Sequence, residues 1–285
     1  MKQDPKRHHY VPEFLIKQWS ILENTNIVRG YFFDINSKRV NYREAGSKSF
    51  CHRNYLYTTE VFNKKNASIE TITNQYIDSE GAKVCYKILN HGIGSISPSE
   101  RRIFSMLIIS FTVRHPKFFH TLKMQGGKQF REGLDSDTEI WNAAQDAGIM
   151  HSPSIIQQTP TGTSLEDQAA HYLYPKLLDN PRIGKVMINA HWGTKTLSTH
   201  DGYYTLSDRP LTKGGQNYDD PSAVWIFPLS PRVAFVASNN YSLLNSLLSS
   251  SPRQFRNWLK GTSKNLAVQP DPVRIAGVGG IIRSF

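Results

Sequence analysis

Residues Ser97–Pro116 read SPSERRIFSMLIISFTVRHP, and this stretch fixes the character of the middle of the chain. Ser97-Pro98-Ser99-Glu100 combines a capping serine, a proline at the first helical position and a glutamate three residues after the cap, which is a helix start. Ile103, Phe104, Leu107, Ile108 and Phe111 then recur at helical spacing and predict a buried helix. It is expected to stop near His115-Pro116, because a residue before proline avoids helical geometry.

Upstream, Ile69, Ile72, Tyr76, Glu80, Val84 and Ile88 recur every three or four residues and predict a long helix capped by Asn66 or Ser68 and closed by His91-Gly92. Downstream, a helix is expected from Asp137 to Ala147. A Ser, Thr, Gln and Pro-rich connection, read as a flexible loop, follows from Ser152 to Thr163, and another helix runs from Ser164 to about Leu178.

The ends of the chain read differently. A brief helix after Pro12 places Val11, Leu15 and Trp19 on one face. Ile27–Ile35 and Arg39–Arg43 form strands about a turn at Asn36-Ser37-Lys38, and Phe50–Thr58 suits a third. Lys185–Trp192, Tyr203–Ser207, Ala223–Leu229 and Arg232–Ala237 predict C-terminal strands before helices at Tyr241–Leu248 and from Pro252 onward. The expected fold is α+β: a single domain over 1–285, with a helical section (66–180) packed on antiparallel strands from 1–65 and 181–285.

With 285 residues and 39% apolar content the chain can bury a core, which excludes disorder as its main state. No run is apolar enough for a membrane helix, and the basic start is followed by His8-His9-Tyr10 rather than a signal-peptide stretch. Cys51 and Cys85 alone exclude a disulfide framework and a Cys-based zinc motif. Together these features suggest a cytoplasmic protein with no membrane partner. The net charge is +11, yet residues 136–180 carry six acidic and one basic side chain. A basic surface of this kind favours polyanions, and nucleic acid is the expected partner.

Candidate chemistry comes from separated places. His8 and His9 precede the helix start at Pro12, where free N–H groups favour an anion and a neutral imidazole. Neighbours on an extended chain point to opposite sides, so one of the two, His9, is expected to enter a site. Glu80 and Arg114 both sit on apolar stripes, which predicts either a Glu80–Arg114 ion pair between the helices or membership of an active site. Ser207-Asp208-Arg209-Pro210 ends a strand: Asp208 suits orienting a histidine or binding a cation, and Ser207 suits donating to a phosphate, unless the four residues only make a turn. No Walker loop, dinucleotide-binding turn or His-Glu-x-x-His helix is present.

On these residues the chain resembles the bacterial domain of unknown function family 4238. The resemblance rests on Lys6-Arg7-His8-His9-Tyr10-Val11-Pro12, Glu80-Gly81-Ala82, Arg114-His115-Pro116, Ser207-Asp208-Arg209-Pro210 and Phe227–Pro231, in that order. It implies a single α+β unit in which the five positions meet, and it supplies no reaction. Arg209 departs from the small polar residue usual before that proline.

The leading expectation is a phosphate-directed hydrolase, a nuclease of toxin or phage-defence type acting on RNA or DNA. His9 would be general base or metal ligand. Asp208 and Glu80 would orient it or hold magnesium or manganese, and Arg114 would stabilise charge at phosphorus; a metal-free version is equally compatible. The alternatives are a non-enzymatic nucleic-acid or protein-binding module in which Glu80, Arg114 and Asp208 are structural, and hydrolysis or transfer on a small phosphorylated metabolite.

Overall fold

The computed structural model describes residues 6–21, 25–34, 37–61, 64–158, 163–265 and 273–276. In chain order these form β1 (Arg7–His9), α1 (Glu13–Lys17), the hairpin β2 (Ile27–Asp34) and β3 (Arg39–Gly46), β4 (His52–Asn54), and a second hairpin of β5 (Thr59–Val61) and β6 (Lys64–Asn66). A π-helical turn over Ile69–Asn74 runs into α2 (Gln75–His91). Next come α3 (Pro98–Val113), α4 (Pro116–Ser136), α5 (Thr138–Asp146), α6 (Pro153–Gln158), α7 (Leu165–Leu178) and α8 (Pro181–Asn189). The last part contributes β7 (His191–Thr196), β8 (Leu206–Ser207), β9 (Thr212–Gly214), β10 (Val224–Pro228), β11 (Val233–Ser238), α9 (Tyr241–Ser249), α10 (Pro252–Asn265) and β12 (Val273–Ala276). The fold is α+β, with a helical middle and antiparallel sheets formed by the two ends. Ile35 of the expected strand, Asn36 of the expected turn and residues 159–162 of the expected loop lie outside the described residues.

Two compact units emerge, each from three stretches of chain. The first draws on 1–8, 53–76 and 113–179. Its spine is the pair α4 and α7, which approach closely because Gly126 and Gly127 carry no side chain. A Cβ on Gly126 would lie 2.8 Å from Cβ of Ala169, and one on Gly127 would lie 2.9 Å from the backbone of Glu166. Arg131 pairs with Glu166 (3.1 Å) and Lys123 with Asp167 along the same seam. Asp167 also accepts the N–H of Glu60 at 2.7 Å, which ties the β5–β6 hairpin to α7.

The second unit draws on 9–52, 77–112 and 180–285. One sheet runs β7-β11-β10-β9 and the other β3-β2-β12-β8, with every recorded pairing antiparallel. The apolar face of α3 packs on the first sheet. The ring of Phe104 lies 5.6 Å from Trp192, 5.7 Å from Phe227 and 5.1 Å from Phe235, and Phe111 lies 5.1 Å from Phe227. Such offset and edge-on aromatic contacts add to area burial. The helix start at Ser97 closes as a reciprocal box: Glu100 N–H donates to Ser97 Oγ (3.3 Å) and Ser97 N–H to Glu100 Oε2 (2.8 Å). Trp19, fully buried, donates from Nε1 to the carbonyl of Tyr204 at 2.9 Å and so anchors the segment after α1.

Several expectations need correction. The expected strand at Lys185–Trp192 begins as a helix, since Asn180 accepts from the N–H groups of Arg182 and Ile183 and Pro181 fills the first turn. The expected flexible loop contains α6, whose Ser154 bonds the carboxylate of Asp135 through both N–H and Oγ. Phe50–Thr58 yields only the short β4, with Cys51 and Tyr55 at positive φ (50° and 56°) on either side of it. Among the described residues no helix is long and apolar enough to cross a membrane.

Candidate active site

β1 and β4 pair in a two-stranded ladder that carries the histidines. Consecutive residues of an extended strand face opposite ways, and His8 and His9 have different surroundings. His8 is fully buried; its ring stacks on Tyr57 (5.7 Å, 8° between planes) and its Nδ1 accepts the Tyr57 N–H at 3.0 Å. A nitrogen that accepts carries no proton, so the neutral ring of His8 holds its proton on Nε2. His9 and His52 are both half-buried, and their rings lie 5.6 Å apart in an edge-on arrangement. The left-handed conformation of Cys51 and Tyr55 costs non-glycine residues about 1–2 kcal/mol each, and such strain concentrates at functional sites.

Asp208, 6% exposed, lies within electrostatic reach of Cys51. Burial, followed by the charge of Asp208, pushes the Cys51 thiol well above its ordinary pKa, so it stays protonated; the Tyr10 side chain hydrogen-bonds it. The Tyr10 N–H donates to the Cys51 carbonyl at 2.9 Å. His9, His52 and Asp208 therefore gather around one short segment, Cys51-His52.

The first unit holds a second polar set. Arg114, fully buried, donates from Nη2 to the carbonyl of Asn74 at 3.0 Å. Its own carbonyl accepts the Tyr57 hydroxyl at 2.6 Å. Asn74 donates to Glu70 (2.9 Å) and accepts from the Tyr174 hydroxyl (2.8 Å). His115 caps α4 by accepting the Lys117 N–H at 3.2 Å. His8 and Arg114 are thus joined through Tyr57, by its N–H and its hydroxyl.

Glu80 departs from expectation. The buried face of α2 is Ile77, Gly81, Val84, Cys85 and Ile88, while Tyr76 is exposed. The π turn at Ile69–Asn74 inserts about one residue into the helical count and rotates the stripe, which places Asn74 inside and Glu80 at the margin. Glu80 pairs with Lys83 at 2.7 Å and remains about one-third exposed, so it is not the buried carboxylate that the periodicity implied. Ser207 is committed to a turn: its hydroxyl donates to the Arg209 carbonyl (2.6 Å) and accepts the Arg209 N–H (3.2 Å). Phe227 of the fifth signature is a core side chain.

The family described as protein of unknown function (DUF4238) matches residues 7–247. The chain belongs to this family. Neither a curated protein nor a solved structure matches it. The match starts at the His8-His9 strand and runs past Asp208 to α9, so both polar sets lie inside it.

Sequence reasoning missed His52, Tyr57, Glu70, Asn74 and Tyr174. Only His52 carried a signal, an imidazole in a segment expected to be a strand. Among the described residues, no three His, Cys, Asp or Glu side chains converge as a metal-binding group.

Proposed function

We propose that the chain is a phosphate-directed hydrolase, a nuclease of toxin or phage-defence type that works in the cytoplasm on RNA or DNA. The observation that supports this reading best is the half-buried imidazole pair His9–His52, whose neighbour Cys51 feels the charge of the buried carboxylate Asp208, on a chain of net charge +11. In this reading His9 takes the proton of the attacking hydroxyl as the phosphorus–oxygen bond to the leaving group breaks, and Asp208 positions the ring. Arg114 acts differently from the sequence expectation. Its guanidinium has no solvent exposure and bonds the Asn74 carbonyl, while its backbone carbonyl takes the Tyr57 hydroxyl, so in this reading Arg114 is a positioning residue.

Incubation of wild type and His9→Ala with tRNA, total RNA and single- and double-stranded DNA, in magnesium, manganese or chelator, tests the reading. Cleavage by wild type and none by His9→Ala, with both proteins folded, is the expected result. Equal activity of the two removes His9 from the mechanism. A specific observation also favours a second reading, a non-enzymatic nucleic-acid or protein-binding module: Arg114, Ser207 and Glu80 are all engaged in bonds within the protein. Binding of nucleic acid without cleavage under every condition would select it.

A further inference from the structure

We infer that the chain carries a second reactive centre, independent of the one proposed above, in which Ser68 is a nucleophile, His171 is its base and the substrate is a carboxylic ester. Thr59 of β5, Ser68 at the start of the π turn and His171 of α7 all belong to the first unit. His171 Nε2 lies 3.2 Å from Ser68 Oγ, and its Nδ1 lies 3.2 Å from Thr59 Oγ1. A hydroxyl is activated by such an order of nucleophile, base and a third group that orients the base.

The direction of the protons follows from the far end of this row. Thr59 Oγ1 donates to the Asn66 carbonyl at 3.5 Å, and a carbonyl can only accept. That uses the one hydroxyl proton of Thr59, so its oxygen accepts the Nδ1–H of His171. In the neutral ring Nε2 is then the nitrogen without a proton, and it accepts from Ser68 Oγ, the direction that a base requires. Thr59 is 1% exposed and holds the ring, whereas Ser68 and His171 are half-buried and keep part of their surface in solvent. Ser68 also departs from the usual work of a serine at a helix start, because its hydroxyl makes no cap bond. Asn66 Oδ1 accepts the Ser68 N–H at 2.9 Å instead, and Ser68 Oγ faces the imidazole.

In the reaction His171 Nε2 takes the Ser68 proton while Oγ bonds to the carbonyl carbon of the ester. Negative charge develops on the carbonyl oxygen beside the helix N-terminus that opens at Ser68, the end whose dipole favours it. The bond from that carbon to the alcohol oxygen breaks, and His171 returns the proton to the leaving oxygen. Water, deprotonated by the same nitrogen, then attacks the acyl-serine and Oγ leaves with the proton, so the net products are a carboxylic acid and an alcohol.

The test is covalent labelling of the full chain with a fluorophosphonate, which bonds phosphorus to an activated serine and releases fluoride, alongside hydrolysis of p-nitrophenyl acetate and butyrate. Peptide fragmentation in the mass spectrometer locates the adduct in folded wild type, in wild type unfolded by urea, and in Ser68→Ala, His171→Gln, Thr59→Val and Thr59→Ser, each variant checked by thermal melting. Expected are an adduct on Ser68 of folded wild type and none in urea, together with ester hydrolysis that Ser68→Ala loses. Labelling should slow by about 100-fold or more in His171→Gln, the range for general acid–base groups, and should slow in Thr59→Val but recover in Thr59→Ser. The wild-type arm needs no variant to fold. No adduct on Ser68, with ester hydrolysis no faster than that of Ser68→Ala, would overturn the inference and leave the three side chains as a brace between the β5–β6 hairpin and α7. A folded His171→Gln labelled at the wild-type rate would overturn the role of His171. Either failure leaves the nuclease reading to its own assay.

Discussion

Arg114→Ala is expected to act on stability first. The side chain has no exposed surface, and its Nη2 satisfies the Asn74 carbonyl at 3.0 Å, beside a Tyr57 hydroxyl already fixed on the Arg114 backbone. Truncation removes a buried hydrogen bond from a charged donor, which costs about 1.5–3 kcal/mol. It also opens a cavity where the long side chain lay, for about 2 kcal/mol or more. A combined loss of about 3–5 kcal/mol is a large share of the roughly 5–15 kcal/mol by which domains are stable. At about 2–4 °C per kcal/mol for a chain of this size class, the melting temperature should fall by roughly 6–20 °C. Thermal melting followed by near-ultraviolet circular dichroism, with urea titration of both proteins, reads this directly. Because the bond goes from a fork to a carbonyl, Arg114→Lys should recover only part of the loss. A melting temperature for Arg114→Ala within 2 °C of wild type, together with lost activity, would refute the positioning role and return Arg114 to the reaction itself.

Other substitutions probe separate links. Gly127→Ala should lower stability by about 1–3 kcal/mol in urea titration, since its Cβ would meet the backbone of Glu166, which cannot swing aside; a neutral effect would mean that α4 and α7 slide freely. Glu100, bonded to Lys87 and then to Ser97, is held down at a pKa of about 2 against an ordinary 4.5. A lowered folded-state pKa contributes stability that is complete above the ordinary value and is lost as pH falls toward 2. Glu100→Gln should therefore flatten the stability profile between pH 4.5 and about 2 and change its slope little above pH 6, as acid titration of the melting temperature would show.

The parts legible in the sequence were those written in local chemistry. The Ser97–Glu100 box, the stripe from Phe104 to Phe111, and the helices at Asp137 and Tyr241 declare themselves by caps and period, and they form. What escaped depended on events that a regular period cannot show. The π turn after Ser68 moves the buried face by one position, so Asn74 enters the interior where counting pointed to Glu80. The sequence between Pro116 and Ser136 announces no element, yet the paired glycines of α4 there are what lets α7 approach. At the site, His8 and His9 were visible as a pair. The partners that distinguish them, Tyr57 for one and His52 for the other, lie more than forty residues away and meet them only through the β1–β4 ladder.

The threading of β2 bears on how the chain is made. On one side β2 pairs with β3, its neighbour in sequence, and on the other with β12, about 240 residues later. At about 5–20 residues per second of synthesis, that second edge waits roughly 10–50 s for its partner. An open strand edge over such a time is a template for pairing with another nascent chain. Arg29 on β2, with Lys38 in the turn and Arg39 and Arg43 on β3, makes this hairpin basic during the wait. Their positive charge opposes docking of a second copy, so the basic character of the N-terminal third also protects a fold of high contact order while it forms.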